Sequence, residues 1–345
     1  MEIKLLRKEV HFEFIEQLLK FKEVYGVVLE KGRIFYQKIK SAKELTDDFI
    51  IPDMSVKSYV FPAIEKLFSF VKNKDKIHIK NVNFDAIPNM IIIGIRPCDA
   101  VGFKNLESIF KISPEDSFFM KRVEKTIIIT YSCNKSDNYC FCTSMGGSPG
   151  NVQGSDIVLT KTSTGDYITE IITTKGASVI SVVSELFEEI TIDLQKENYL
   201  ANVVPTQFDN VDLVGIFDEL SSTSIFDEYA MRCIGCNICA FVCPVCTCFD
   251  IQDEMNGSRG HRLRCWDSCA SKSFTLHASG HNNRPTQGSR WKQRLMHKFF
   301  YMPKQIKLNG CVGCGRCSRY CPVDMNIIEQ LTNIVINKQK NKVIE

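Results

Sequence analysis

A chain of 345 residues with 44% apolar content and a formal charge of +3 has room for two or three domains and a proper core. The first apolar run is broken by Glu16, Lys20, Lys22 and Glu23, and no run approaches membrane-spanning length, so neither a secretory leader nor a transmembrane span is expected. Sixteen cysteines in such a chain read as metal ligands in a reducing cytoplasm, not as a disulfide scaffold.

In chain order, Val24 to Ile39 reads as a hairpin around Glu30-Lys31-Gly32, since β-branched and aromatic residues flank the glycine. Pro62 is expected to open an amphipathic helix with Ile64, Leu67, Phe68 and Val71 on one face. Met90 to Ile95 is short and apolar enough for a buried strand, and it ends at Arg96-Pro97-Cys98-Asp99, where Asp99 is placed to cap a following helix. A second buried strand, Thr126 to Thr130, leads to Cys133, then to Cys140 and Cys142, then to the glycine-rich turn Met145 to Gly150. The strand ends thus deliver Cys98 and Cys133 where α/β sheets place ligands, and with Cys140 and Cys142 they form a candidate metal site. Either cysteine alone would more often be a small core hydrophobe; four converging on loops point to a third cluster. A rival reading lets Arg96 and the glycine turn bind a small substrate. Strand pieces are expected around Gly165 and Gly176, a helix over Val182 to Glu189, and helical runs carrying Val214, Phe217 and Leu220 and spanning Ile225 to Tyr229. The polar run Ser221 to Ser224 marks a boundary.

Two copies of one spacing follow, Cys233-x2-Cys236-x2-Cys239-x3-Cys243-Pro244 and Cys311-x2-Cys314-x2-Cys317-x3-Cys321-Pro322, and both are the run of bacterial 4Fe–4S ferredoxins. Zinc sites use two separated pairs instead. In two-cluster ferredoxins the fourth cysteine serves the other cluster, which assigns Cys233, Cys236, Cys239 and Cys321 to one cubane and Cys311, Cys314, Cys317 and Cys243 to the other. Gly235, Gly313 and Gly315 are expected to let the backbone approach inorganic sulfide. Between the motifs, Pro244 to Gly310 holds eleven Lys or Arg against four Asp or Glu. This basic segment reads either as a solvated face or as cations offsetting cluster charge, and Arg290, Lys292 and Arg294 are expected to dock a partner through salt-sensitive contacts. Cys246, Cys248, Cys265 and Cys269 in the same segment either pack around the cubanes or hold a fourth centre. After Pro322, Asp324 is placed to cap an amphipathic helix with Ile327, Ile328, Leu331, Ile334 and Val335 on one stripe.

The segments Ile95-Arg96-Pro97-Cys98-Asp99, Cys140-Phe141-Cys142-Thr143-Ser144-Met145-Gly146, Cys243-Pro244-Val245-Cys246-Thr247-Cys248-Phe249, Trp266-Asp267-Ser268-Cys269 and Cys311-Val312-Gly313-Cys314-Gly315-Arg316-Cys317 resemble the iron–sulfur electron-transfer component of anaerobic sulfite reductases. They are also similar to the related beta subunit of cytoplasmic sulfhydrogenases. The resemblance runs from about Met90 to Met325. It implies a non-catalytic, cytoplasmic electron carrier between a flavin- and NAD(P)H-binding subunit and a siroheme subunit that reduces sulfite. From the residues themselves no nucleic-acid partner is expected, since the cations are not interleaved with a stacking platform, and no membrane partner, since no apolar run is long enough. The resemblance also supports the third cluster on Cys98, Cys133, Cys140 and Cys142, and Cys265 fits its pattern least well. The expected architecture is an α/β (mixed α+β) N-terminal domain over 1–224, a ferredoxin-like dicluster domain with a basic insert over 225–330, and a helix end and tail over 331–345.

Overall fold

The computed structural model describes residues 2–190, 196–200 and 203–344; Glu345, at the end of the expected tail, lies outside the described residues. Its strands are β1 (Glu2–Leu6), β2 (Glu23–Glu30), β3 (Arg33–Lys38), β4 (Ile64–Asn73), β5 (Lys76–Asn81) and β6 (Met90–Ile95). They continue with β7 (Thr126–Tyr131), β8 (Ile157–Lys161), β9 (Tyr167–Ile171), β10 (Phe187–Glu189), β11 (Phe249–Asn256) and β12 (Arg259–Trp266).

Eight strands form one sheet in the order β10-β1-β9-β8-β7-β6-β2-β3, with a parallel centre over β2, β6, β7 and β8 and antiparallel edges. The central strands are unbroken apolar runs because both faces are covered. Ile91, Ile93, Ile127 and Ile129 face the helices Lys8–Phe21 and Thr174–Val182. Met90, Ile92 and Ile128 face the helices Pro97–Phe110 and Ser117–Lys125. Near its C-terminal end β6 shifts register against β7 between Ile93 and Ile95, at Gly94, whose φ is +82°. Such a bulge re-aims the residues after it, here Arg96, Pro97 and Cys98.

The second sheet, β11-β12-β4-β5, overturns the helix expected after Pro62. The apolar positions from Ile64 to Val71 fit a helical period, but Phe68, Phe70 and Val71 are also strong strand formers, and β4 is held by β12, nearly two hundred residues later in the chain. Glu65, buried in β4, meets Arg264 of β12 and Arg122 of the helix Ser117–Lys125. This sheet therefore ties residues before the expected boundary at 224 to the segment between the two cysteine motifs.

Other expectations are corrected locally. The helix expected over Val182 to Glu189 lies earlier, at Thr174–Val182, where Thr173 caps it through the Gly176 N–H, and Phe187–Glu189 is a strand. Gly176 is thus helical, and a Cβ there would stand 2.2 Å from the Asp156 carbonyl oxygen, so close packing and not strand conformation explains the glycine. The helix Ile327–Ile344 is capped by the Asn326 side chain; Asp324 sits in left-handed backbone with φ +49°.

A third core gathers the helical C-terminal part. Trp291, Leu295 and Phe299 recur every four residues along the helix Gln287–Met296 and the π-helical turn His297–Tyr301 that prolongs it. They pack on Phe217, Phe226, Ile328 and Leu331, and also on Phe141 and Met145 from the N-terminal cysteine loop. Among the described residues no helix is long and apolar enough to cross a membrane.

Candidate metal centres

Cys98 stands in the first turn of the helix Pro97–Phe110, and Cys133 lies two residues past β7. Because β6 and β7 are parallel neighbours, their ends meet, and both cysteines line one pocket with Cys140, Cys142 and Arg96. Burial pushes the Cys133 thiol up to about 11 and that of Cys142 up to about 12. Such thiols stay protonated until a metal displaces the proton.

This pocket also reaches Gly313 and Cys314 of the second ferredoxin-type motif. The Phe141 N–H donates to the Gly313 carbonyl at 2.9 Å. Gly313 and Gly315 have φ of +65° and +74°, and a Cβ would stand 2.5 Å from the Cys142 nitrogen in one case and 2.3 Å from the Tyr139 carbonyl oxygen in the other. These glycines admit the N-terminal cysteine loop against the second motif, a role beyond the approach to sulfide expected of them. Gly313→Ala is expected to destabilise the chain by at least about 1–2 kcal/mol, from left-handed strain plus backbone overlap. Gly280→Ala, at φ +84° with open space around it, isolates the strain. Denaturant midpoints of the two anaerobic variants should differ, and equal midpoints would mean the loops part freely.

Cys233, Cys236, Cys239 and Cys321 line a further pocket with Cys317, closed by Ala270, Trp291, Val323 and Met325. Gln287 donates to the Cys233 sulfur at 3.0 Å and the Met325 N–H to the Cys321 sulfur at 3.2 Å. In the remaining set Cys243 and Cys314 are buried and Cys311 and Cys317 half-buried; Cys311 has Cys317 and Cys243 as thiol neighbours, and Cys314 has Cys243 and Cys317. Burial raises Cys311 and Cys314 to about 12. Among the described residues no three His, Cys, Asp or Glu side chains form a group able to hold a single metal ion.

Each set has a buried cation without a carboxylate partner among the described residues. Arg96 donates to the carbonyls of Ile50, Phe49 and Ser132 and stacks on Phe49 beside the N-terminal cysteines, so it has no hand free for a substrate, contrary to the rival reading. Lys298 Nζ lies 3.3 Å from the Cys243 sulfur and 2.8 Å from the Gly310 carbonyl. Arg294 Nη1 lies 3.5 Å from the Cys246 sulfur, and Nη2 donates to the Cys239 carbonyl at 2.8 Å. An unpaired buried cation costs several kcal/mol. Anionic thiolate centres would supply the missing charge, so the donor set fits iron–sulfur groups.

The expectation that Arg290, Lys292 and Arg294 form an exposed docking face fails on the same geometry. Arg290 and Arg294 are buried, and Lys292 donates to the Ser221 carbonyl. The signal was present: cations at 290, 294 and 298 recur every fourth residue, each directly before an apolar residue of the buried stripe.

One buried pair was missed altogether. Arg316, in the short helix Arg316–Arg319, forks onto Asp99 at 2.5 and 2.6 Å, and both side chains are 0% exposed. Asp99 therefore anchors the second motif, while Arg96 and Pro97 start the helix that Asp99 was expected to cap. Arg319 makes a similar fork to Asp137.

Residues 232–325 match the family of 4Fe–4S dicluster domains. Over 335 residues the chain is 28% identical to the sulfhydrogenase 2 subunit beta of Pyrococcus furiosus, covering 95% of this chain and 97% of that protein. No solved structure matches it.

Proposed function

We propose that this chain is a cytoplasmic, non-catalytic relay for single electrons, holding 4Fe–4S clusters on three cysteine sets. They are Cys233, Cys236, Cys239 and Cys321; Cys311, Cys314, Cys317 and Cys243; and Cys98, Cys133, Cys140 and Cys142. The clusters supply the one-electron chemistry. The observation that carries the reading is the contiguity of the sets. Cys314 and Gly313 border the N-terminal pocket, and Cys317 borders the pocket of Cys233.

The protein's own part is placement, dryness and charge. Trp291, Met325 and Ala270 exclude water, Gln287 and the Met325 N–H donate to sulfur, and Lys298 offsets charge at Cys243. Hydrogen bonds and charges of this kind raise a cluster's potential. One edge stays open: Cys236 is exposed, beside Met231 at 81% and Ile234 at 64%. We place a redox partner there.

A flavin- and NAD(P)H-binding subunit is the proposed donor. The proposed acceptor is a siroheme subunit that reduces sulfite, on the strength of the Cys-Phe-Cys and Trp-Asp-Ser-Cys segments. A second reading, the electron-transfer subunit of a sulfhydrogenase, is favoured by the near full-length likeness to such a beta subunit.

Anaerobically purified protein is expected to be brown and to carry at least about twelve irons, with matching acid-labile sulfide, at four per cubane. Alone it should neither reduce sulfite nor oxidise NADH. A colourless or zinc-loaded protein would overturn the relay reading. Purified with its native partners, the complex should show siroheme absorption on the first reading and nickel on the second.

A further inference from the structure

Cys246, Cys248 and Cys269 are not used by the three sets above. They come from two stretches of chain, the turn after Pro244 and the turn after β12, which the Asp267 N–H pins together by donating to the Cys248 carbonyl at 3.0 Å. Cys248 and Cys269 are thiol neighbours, and Cys246 has both Cys243 and Cys269 as thiol neighbours. Cys265 is not with them. It sits in β12 opposite Asp250 and Ile64, and its charged neighbours are Glu254 and Asp250.

Two buried cations stand beside Cys246, one at its carbonyl and one at its sulfur. Lys57, 3% exposed, donates to the Cys246 carbonyl at 3.0 Å and lies 3.9 Å from the centre of the Trp266 ring. Arg294, 1% exposed, points Nη1 at the Cys246 sulfur, and its Nε is buried with no hydrogen-bond partner. Among the described residues neither meets a carboxylate. Lys298 already stands at Cys243 and Arg294 is shared with Cys239 of the first motif, so Lys57 is the cation in excess of what the three sets take up. Plain core packing of three small thiols leaves Lys57 without counter-charge.

We propose that Cys246, Cys248 and Cys269 hold a fourth iron–sulfur centre on three thiolates, with Lys57 and Arg294 offsetting its charge. The proposal rests on the relay reading, since it adds a centre to an iron–sulfur chain. Three protein thiolates leave either a three-iron cluster or a cube with one iron bound by a ligand other than cysteine.

Native mass spectrometry of the anaerobic full-length wild type should show four cluster masses, and three would overturn the proposal. Cys248→Ser and Cys269→Ser should each lose about three to four irons per chain while the paramagnetic signals of the other centres persist, and Cys265→Ser should lose none. Unchanged iron in both variants returns these thiols to the core. A colourless wild type is a different result and removes the relay reading itself.

Discussion

Serine in place of Cys140 is expected to remove about four irons per chain and to leave the other centres assembled. A serine hydroxyl is a hard donor that stays protonated near neutral pH, whereas iron–sulfur assembly selects soft thiolates. The loss should remain local because the loop bearing Cys140 is held independently of any metal. Asp137 forks to Arg319, the Cys140 N–H donates to the Asp137 carbonyl at 3.1 Å, and Phe141 bonds to Gly313. Far-ultraviolet dichroism should therefore match the wild type, and one reduced-state paramagnetic signal should vanish. In the assembled complex, turnover should fall at least about tenfold if this set lies on the route between partners. Unchanged iron and unchanged spectra would return Cys98, Cys133, Cys140 and Cys142 to ordinary packing.

Much of this site is legible in sequence because its geometry is local or follows from adjacent parallel strands. The motifs at Cys233 and Cys311 place three thiols within one loop each, and their spacing alone carries that. Cys98 and Cys133 come together because β6 and β7 are joined by a helical crossover, which forces their ends to one side of the sheet. What resists reading is long-range or ambiguous in period. The segment from Ile64 to Val71 satisfies both helix and strand patterns until β12 arrives as its partner. Arg316 and Asp99 carry no mark of their pairing across more than two hundred residues. The basic segment misleads for another reason: net charge counts cations without saying which are buried. Arg294 and Lys298 look like a solvated face in composition, yet their four-residue spacing beside Trp291 and Leu295 puts them inside. The expected boundary at Ser221 to Ser224 is likewise a true polar turn, but the second sheet and the core around Phe217 and Phe299 span it.

Arg316→Met alone is expected to destabilise the chain by about 3–5 kcal/mol, because it leaves the Asp99 carboxylate buried without its fork. Asp99→Leu alone should cost a similar amount, with an uncompensated guanidinium left behind. The double variant replaces a neutral pair by two apolar side chains and should recover much of either loss. Reduction potentials separate this structural role from an electrostatic one. Arg316 has both Cys314 and Cys98 among its charged neighbours, so its field acts on two of the proposed clusters. Removing the cation alone leaves a net negative charge beside them and should lower their potentials; removing the carboxylate alone should raise them. The double variant changes no net charge and should sit near the wild type. Anaerobic redox titration followed by electron paramagnetic resonance reads all three directions. Potentials that move the same way in both single variants would mean that loosened packing and added water, not charge, set the response.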